Sequence, residues 1–385
     1  MKRLLQISNY LYPNIGGIEQ VARDIANAVA EEGTFEQKIL CFNETARDGE
    51  YICNRSETVH DMVDGIEVIR CGCITKKFSQ SISLTFPREL RNVMDDFDPD
   101  IVIFHYPNPF QAQFLQKYFK RSFKFVLYWH LDIVKQKLLG KLFYRQTIRL
   151  LERADKVIAT SPLYIGGSPF LRNYKKKCQV IPNCISEKRM VVTDAIRRKA
   201  ERIRQENLGK IICFGIGRHI PYKGFNYLVS ASSYLDDRFR IFIGGKGELT
   251  EKLKAQAAGD NKITFLGRVS DEDLIAYYLV IDIFCFPSIT KNEAFGIALA
   301  EGMFFGKPAV TFHIPGSGVN YVNLKDVTGI EVPNGDSRAY ADAIERLAEN
   351  PKMRNVMGME AKKRVEKLFL TSSFKSNILE MIRSL

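Results

Sequence analysis

Short runs of β-branched and aromatic residues alternate with amphipathic helical patterns along almost the whole chain. That alternation restricts the fold to parallel sheets with helices covering both faces. In the first half, strands are predicted at 3–8 (RLLQIS), 37–42, 65–70, 100–105, 124–130 and 156–160, with 178–181 as the last. After Gly16 and Gly17, residues Ile18, Val21, Ala22, Ile25 and Val29 recur at i, i+3, i+4 spacing, so a helix follows the first strand. The second half repeats the scheme, with strands at 211–217, 239–245, 262–267, 281–286 and 308–312. Its helices fall at 225–235, from Glu248, at 271–278 and at 295–303. Three helical patterns without intervening strands (337–349, 351–368, 371–385) must pack outside the sheets.

A chain of 385 residues accommodates two domains of about 190 residues each. The boundary falls between Ile181 and Gly209, where IPNC is followed by a charge-rich segment. We therefore expect domains at 1–190 and 191–370, with 371–385 packing back on the first. The fold class expected is α/β: two Rossmann-like doubly wound parallel-sheet domains facing across a cleft. Ligands in such folds bind at the carboxyl ends of the strands, so chemistry is sought in the loops after strands.

The composition, 45% hydrophobic and 26% charged, is that of a globular chain and excludes a coiled coil or collagen. The longest apolar candidate, Leu274 to Phe286, is broken by Asp282 and closed by Pro287, so no membrane span is expected. The N-terminal apolar block is short for a signal peptide, and a cytoplasmic location is expected. Eight scattered cysteines without a CxxC pair suit reduced, mostly buried thiols and imply no metal.

The net charge of +12 is unevenly placed. Residues 1–100 carry 11 basic against 17 acidic side chains, whereas 101–190 carry 17 against 4. Basic and aromatic residues interleave at 117–125, 135–149 and 172–177. Such a surface attracts anionic lipid headgroups, nucleic acid or a phosphorylated substrate, or is simply a solvated basic face.

Several loops carry candidate chemistry. YPNIGGIEQ (12–20) sits between a strand and a helix N-terminus, where backbone N–H groups and the helix dipole can approach an anion. GIGRHIPYKG (215–224) places Arg218 and Lys223 on one loop after a strand, two cations suited to a diphosphate. It lacks the GxxxxGK[ST] pattern of a P-loop. In KNEAFGIALAEG (291–302), Glu293 and Glu301 lie eight residues apart, up to about 12 Å along the axis if the segment is mostly helical. Carboxylates accept from sugar hydroxyls, and free N–H groups near Phe295, Gly296 and Ile297 suit phosphates, so a sugar nucleotide fits all three features.

His130 ends the strand 124–130, where contact with a ligand hydroxyl, a proton relay and a satisfied core histidine all fit. His105 occupies a similar place, and Asp132 is a candidate to orient either ring. The carboxylates of FDPD (Asp98, Asp100) and of Asp96 precede a strand, at the end away from the cleft, and read as a turn.

Together, GGIEQVARDIANAVAEEG, IPNC, GRHIPYKG, IGGKGEL (243–249), LGRVSDEDL (266–274) and KNEAFGIALAEG resemble the retaining glycosyltransferases of family 4, over nearly the entire chain. The resemblance implies the GT-B fold, with a nucleotide-sugar donor held mainly by the C-terminal domain. By motif position, Arg218 and Lys223 would bind the donor diphosphate, Glu293 the sugar hydroxyls and Glu301 the ribose. Phe295, Gly296 and Ile297 would offer backbone contacts, and Arg268 and Val269 would border the base. Gly17 would lie near the donor phosphate and acceptor, and His130 would contact the transferred sugar. The catalytic set implied is His130, Arg218, Lys223 and Glu293, with no metal and no cofactor beyond the co-substrate.

The chain departs from the pattern at IPNCIS (181–186), where members often read IPNGVD, and at SGVNY (317–321), where many have GGxPE. WHLDIVKQK (129–137) is similar to bacterial O-antigen and capsular mannosyltransferases, which leans toward GDP-mannose as donor. The implied partners are a glycan or lipid-linked acceptor and the anionic inner face of a membrane, not nucleic acid. An epimerase of GT-B-like fold would use the same cleft without an acceptor. A basic nucleic-acid-binding protein would rest on the 101–190 stretch alone.

Overall fold

The computed structural model describes residues 1–13, 16–44, 52–77, 80–133 and 137–385. The centre of the first glycine loop (14–15) and part of the 129–137 segment (134–136), with the start of the 135–149 basic run, lie outside the described residues. The chain forms two compact units. Unit 1 comprises Met1–Thr160, Ser168–Ile181 and Lys375–Leu385, and unit 2 comprises Ser161–Gly167 and Pro182–Phe374.

Unit 1 is built on strands β1 (Lys2–Ile7), β2 (Phe35–Phe42), β3 (Val59–Val63), β4 (Ile66–Cys71), β5 (Thr75–Lys77), β6 (Gln80–Ile82), β7 (Ile101–Tyr106), β8 (Lys124–Trp129), β9 (Lys156–Ala159) and β10 (Cys178–Val180). Eight of them form one sheet in the order β10-β9-β8-β7-β1-β2-β4-β3, and β5 pairs with β6 as a separate hairpin. Every residue of β7 is buried. This is why its sequence, IVIFHY, opens on a run of apolar residues rather than an alternation: a parallel strand at the sheet centre is covered on both faces. The sheet is parallel except at its edge, where β3 runs antiparallel to β4, a departure from the all-parallel expectation. The cause is local: Asp64 and Gly65 adopt φ of 51° and 80°, and a two-residue turn with both φ positive joins antiparallel neighbours.

At the amino ends of β1 and β7, the Asp100 carboxylate accepts from the Arg3 backbone N–H at 2.8 Å, and the Arg3 guanidinium pairs with Asp98 at 3.2 Å. The FDPD carboxylates thus clamp two strand starts. In the last segment, Arg383 grips Glu32 with contacts of 2.6 and 2.8 Å, and Lys375 pairs with Glu31, both partners on the helix Gly17–Glu32.

Unit 2 carries β11 (Ile211–Ile216), β12 (Phe239–Gly244), β13 (Ile263–Gly267), β14 (Ile283–Phe286), β15 (Ala309–Phe312) and β16 (Gly329–Val332). All pairings are parallel, in the order β13-β12-β11-β14-β15-β16. The chain winds outward from β11 through β12 to β13, then returns to place β14 on the other side of β11. The loops after β11 and β14 therefore diverge, and the gap between them is where such a sheet accepts a ligand.

The helix expected over 295–303 starts only at Ile297, because Gly296 sits at φ 94°, outside helical geometry. Helices Ser337–Glu349 and Pro351–Leu368 start where Asp336 and Asn350 accept from the backbone N–H groups of Ala339 and Met353. All eight cysteines are free, six of them buried. Among the described residues no helix is long and apolar enough to cross a membrane.

Candidate active site

In unit 2 the loop after β11 runs through exposed Arg218, buried His219 and a short turn Pro221–Lys223 to Gly224. Gly224 is required twice over. Its φ is 65°, and a Cβ there would run into the carbonyl of Pro287, just past β14. The Ile289 N–H donates to the Tyr222 carbonyl at 2.9 Å, so the loops on the two sides of the switch point are fastened to each other.

This brings together residues far apart in sequence. The Lys223 ammonium pairs with the Glu293 carboxylate, which also accepts from the Ser288 hydroxyl at 3.1 Å. Both charged side chains are largely buried, at 14% and 12% exposure, and the ammonium lies 5.2 Å from the centre of the Phe286 ring. Desolvation strengthens the attraction within such a pair and makes loss of either partner costly. The Ser317 hydroxyl donates to the Glu293 carbonyl at 2.5 Å. The SGVNY departure thus supplies a clamp on the Glu293 loop. By contrast, the Arg218 guanidinium has no ion-pair partner among the described residues.

Glu293 lies outside the helix Ile297–Phe304, so the helical distance to Glu301 does not apply. Among the described residues, the N–H groups of Phe295, Gly296 and Ile297 have no backbone acceptor. They leave donors at the start of that helix, where its dipole favours an anion. Phe295 is buried against Phe369, ring centres 5.2 Å apart.

Glu301, on the same helix, is buried and accepts from the Tyr278 hydroxyl at 3.1 Å. Burial pushes its carboxyl up to about 7, because the charged form loses hydration that the charge of Arg189 and the Tyr278 hydrogen bond only partly offset. Arg268 is exposed and Val269 half-buried. They line a cavity of about 330 Å³ together with Lys199, Arg202, Leu266 and Tyr277.

In unit 1, Gly17 is exposed on the first turn of its helix. A side chain on Gly16 would run into the Glu19 carboxylate, so a protein acid already lies against the helix start proposed for an anion. His130 is 5% exposed. Its Nε2 lies 2.9 Å from Nδ1 of His105, whose Nε2 lies 3.0 Å from Oε1 of Gln6. Asp132 accepts from the Trp129 indole at 3.1 Å and from the Ser168 hydroxyl at 2.7 Å, so the ring beside His130 is His105. Some cations of the basic stretch serve the fold. Arg153 donates to the Phe123 and Phe119 carbonyls at 2.6 and 3.1 Å, and Lys177 to those of Glu152 and Leu151. Lys175 and Lys176 are exposed.

The chain matches the family model described as glycosyltransferase family 4 over residues 15–189 and that of glycosyl transferases group 1 over 196–364. It is 31% identical over 379 residues to the D-rhamnosyltransferase WbpZ of Pseudomonas aeruginosa, covering 96% of this chain and 92% of that protein. The chain belongs to glycosyltransferase family 4. The O-antigen chain mannosyltransferase C of Escherichia coli is 28% identical to this glycosyltransferase over 372 residues, 95% of the chain and 94% of the relative. Among solved structures, sucrose-phosphate synthase of Thermosynechococcus elongatus superposes with a TM-score of 0.79 at 19% identity, covering 100% and 99% of the two chains. Anabaena HepE in complex with UDP-glucose superposes with 0.78 at 17% identity, covering both chains fully. These likenesses are of fold, and the fold is GT-B.

Of the residues singled out in the glycosyltransferase sequence, the structure brings Lys223 and Glu293 into direct contact. It sets Arg218 on the same loop as Lys223, and Phe295, Gly296, Ile297 and Glu301 on the segment following Glu293. Ser288, Ser317, Tyr278 and Gln6 gave no sequence signal, because each acts through a partner 5, 24, 23 or 99 positions away.

Proposed function

We propose that the chain is a retaining glycosyltransferase that moves a hexose, with mannose from GDP-mannose as the leading case, to a glycan or lipid-linked acceptor in cell-surface polysaccharide synthesis. The observation that carries the reading is the group assembled at the β11/β14 switch point: Arg218 and Lys223, the Glu293 carboxylate and the N–H groups of Phe295, Gly296 and Ile297, which have no backbone acceptor among the described residues. Two relatives, an O-antigen chain mannosyltransferase and a D-rhamnosyltransferase, support a hexose donor and a polysaccharide acceptor.

In this reading the anomeric carbon–phosphate oxygen bond breaks while the acceptor hydroxyl oxygen bonds the same carbon on the same face. The acceptor proton passes to the leaving phosphate oxygen. Charge grows on the diphosphate, and Arg218 and Lys223 are placed to stabilise it. Lys223 must then exchange part of its pairing with Glu293 for phosphate, while Glu293 turns its acceptor oxygens to sugar hydroxyls. Glu301 holds the ribose, Arg268 and Val269 border the base, and Gly17 and His130 meet donor phosphate and sugar. No metal is assigned a role. The exposed cations of 101–190, Lys175 and Lys176 among them, seat the enzyme on anionic lipid at the inner face of a membrane.

Thermal stabilisation by UDP, GDP, ADP and their sugar conjugates tests the donor site, because a ligand bound only to the folded state raises its stability by mass action. The expected result is a shift with GDP and a larger one with GDP-mannose. A shift with UDP alone would replace the donor, and no shift with any nucleotide would refute the reading. Turnover of donor to its epimer without acceptor would make the protein an epimerase instead.

A further inference from the structure

At the carboxyl ends of three neighbouring strands of unit 1, buried Gln6 (β1), His105 (β7) and His130 (after β8) form one hydrogen-bonded chain. Its start is fixed. The Gln6 amide nitrogen donates to the Ala22 carbonyl at 3.2 Å, and a carbonyl only accepts, so Oε1 is the end of the Gln6 amide turned to His105. Because Oε1 also only accepts, His105 carries its proton on Nε2. The His105 Nδ1 is therefore a lone pair, and it accepts from a proton on Nε2 of His130. The two imidazoles stack at 12° with centres 5.2 Å apart, and Tyr128 stacks on both, so neither ring is free to turn over within the packing. Nδ1 of His130 is left without a hydrogen-bond partner among the described residues.

We infer that Gln6 and His105 are positioning residues whose hydrogen-bond order holds His130 as the Nε2–H tautomer, so that its Nδ1 meets the transferred sugar as an acceptor for a hydroxyl proton. The inference rests on the proposal that His130 contacts that sugar. Burial favours the uncharged form of both rings, holding His105 down to about 3 and His130 well below its ordinary value. A neutral ring so hard to protonate is a poor general base, and its role is to orient the sugar. The proton order also gives a buried glutamine a reason to stand on a strand otherwise apolar over its last four residues.

The test is ¹⁵N spectroscopy of the full chain with labelled histidine at pH 7, the five histidines being assigned by single substitution. Protonated Nε2 and unprotonated Nδ1 on both rings is the expected pattern, and an Nδ1–H form on either would overturn the inference. Added GDP-mannose should move the His130 Nδ1 resonance as a hydroxyl donates to it, and an unmoved resonance in the bound complex would overturn the sugar contact. Gln6→Leu should mix the tautomers of both rings and lower kcat/KM about tenfold, the lower end of the scale found for hydrogen-bond partners that orient metal-ligating histidines.

Gln6→Glu should restore order and rate, because a buried protonated carboxyl donates to Ala22 and still accepts from His105. Unchanged tautomers and rate in Gln6→Leu would overturn the assignment. Should that variant fail to fold, His105→Phe keeps a ring in the stack while removing the acceptor, with the same loss of His130 order expected. The tautomer measurement needs no ligand. A chain with the expected proton order that binds no nucleotide sugar would sink the functional reading alone, and a donor-binding chain with the wrong order would sink this inference alone.

Discussion

If Glu301 holds the ribose as proposed, donor binding should depend on pH, and the environment of its carboxyl sets the size of the effect. Its carboxyl is raised from 4.5 to about 7 by burial on the helix Ile297–Phe304, against the charge of Arg189 and one hydrogen bond from Tyr278. Ribose hydroxyls donate best to the ionised form, so the complex holds Glu301 charged and binding expels its proton wherever the free enzyme is protonated. With a value near 7, about one-tenth is ionised at pH 6 and about nine-tenths at pH 8, so affinity should rise about tenfold across that interval. Calorimetric titration with GDP-mannose, run in two buffers of different ionisation enthalpy, measures both the affinity change and the released proton. The sugar conjugate is the right ligand because it lacks the terminal phosphate ionisation of GDP. A flat profile, or an equal slope in Glu301→Gln, would refute the reasoning.

Stability should move in the opposite sense. The folded state keeps a proton that the unfolded chain loses above 4.5, so this group's contribution falls as pH rises from about 4.5 to about 7, by about 3 kcal/mol in all. Glu301→Gln should remove that slope from the denaturation curve.

Two further outcomes follow from the charges. Arg218→Ala or Lys223→Ala should each cost on the order of 10²-fold in turnover. Lys223→Ala should in addition destabilise the chain by leaving Glu293 largely buried without its cation; near-normal rates measured under saturating donor would contradict the diphosphate role. Reversing Lys175 and Lys176 to Glu should weaken co-sedimentation with anionic vesicles, with Lys177 left intact because it holds the Leu151 and Glu152 carbonyls. Unchanged binding would remove the membrane role from this cluster.

The fold was legible where periodicity is strong. The apolar strands β1, β7, β11 and β14 and the capped C-terminal helices announce themselves through runs and spacing that no tertiary contact overrides. Three short strands were not. β5, β6 and β16, three or four residues long, stand in no apolar run, whereas β14, equally short, belongs to the run IDIFCF. β3 was marked only by the Asp64–Gly65 pair, a hairpin signal available in the sequence that the strand–helix rhythm obscured. In the candidate site, glycine loops and charged motif residues were visible because backbone geometry and charge are written locally. The Lys223–Glu293 pairing was not, since it depends on β11 and β14 becoming neighbours. The Gln6–His105–His130 order was equally hidden, because its members are spread across three strands and 124 sequence positions.

Unit 1 is discontinuous, and this bears on how the chain is made. Its segment Lys375–Leu385 follows its preceding piece, ending at Ile181, only after nearly the whole of unit 2 has intervened. That late segment brings the buried side chains Ile378, Leu379, Met381 and Ile382 and the cations that grip Glu31 and Glu32. On a ribosome adding roughly 5–20 residues per second, the first unit therefore waits roughly 10 to 40 s for its closing helix. Through that interval the nascent first unit lacks those four apolar side chains, so unit 2 is the first to have every one of its residues available to fold.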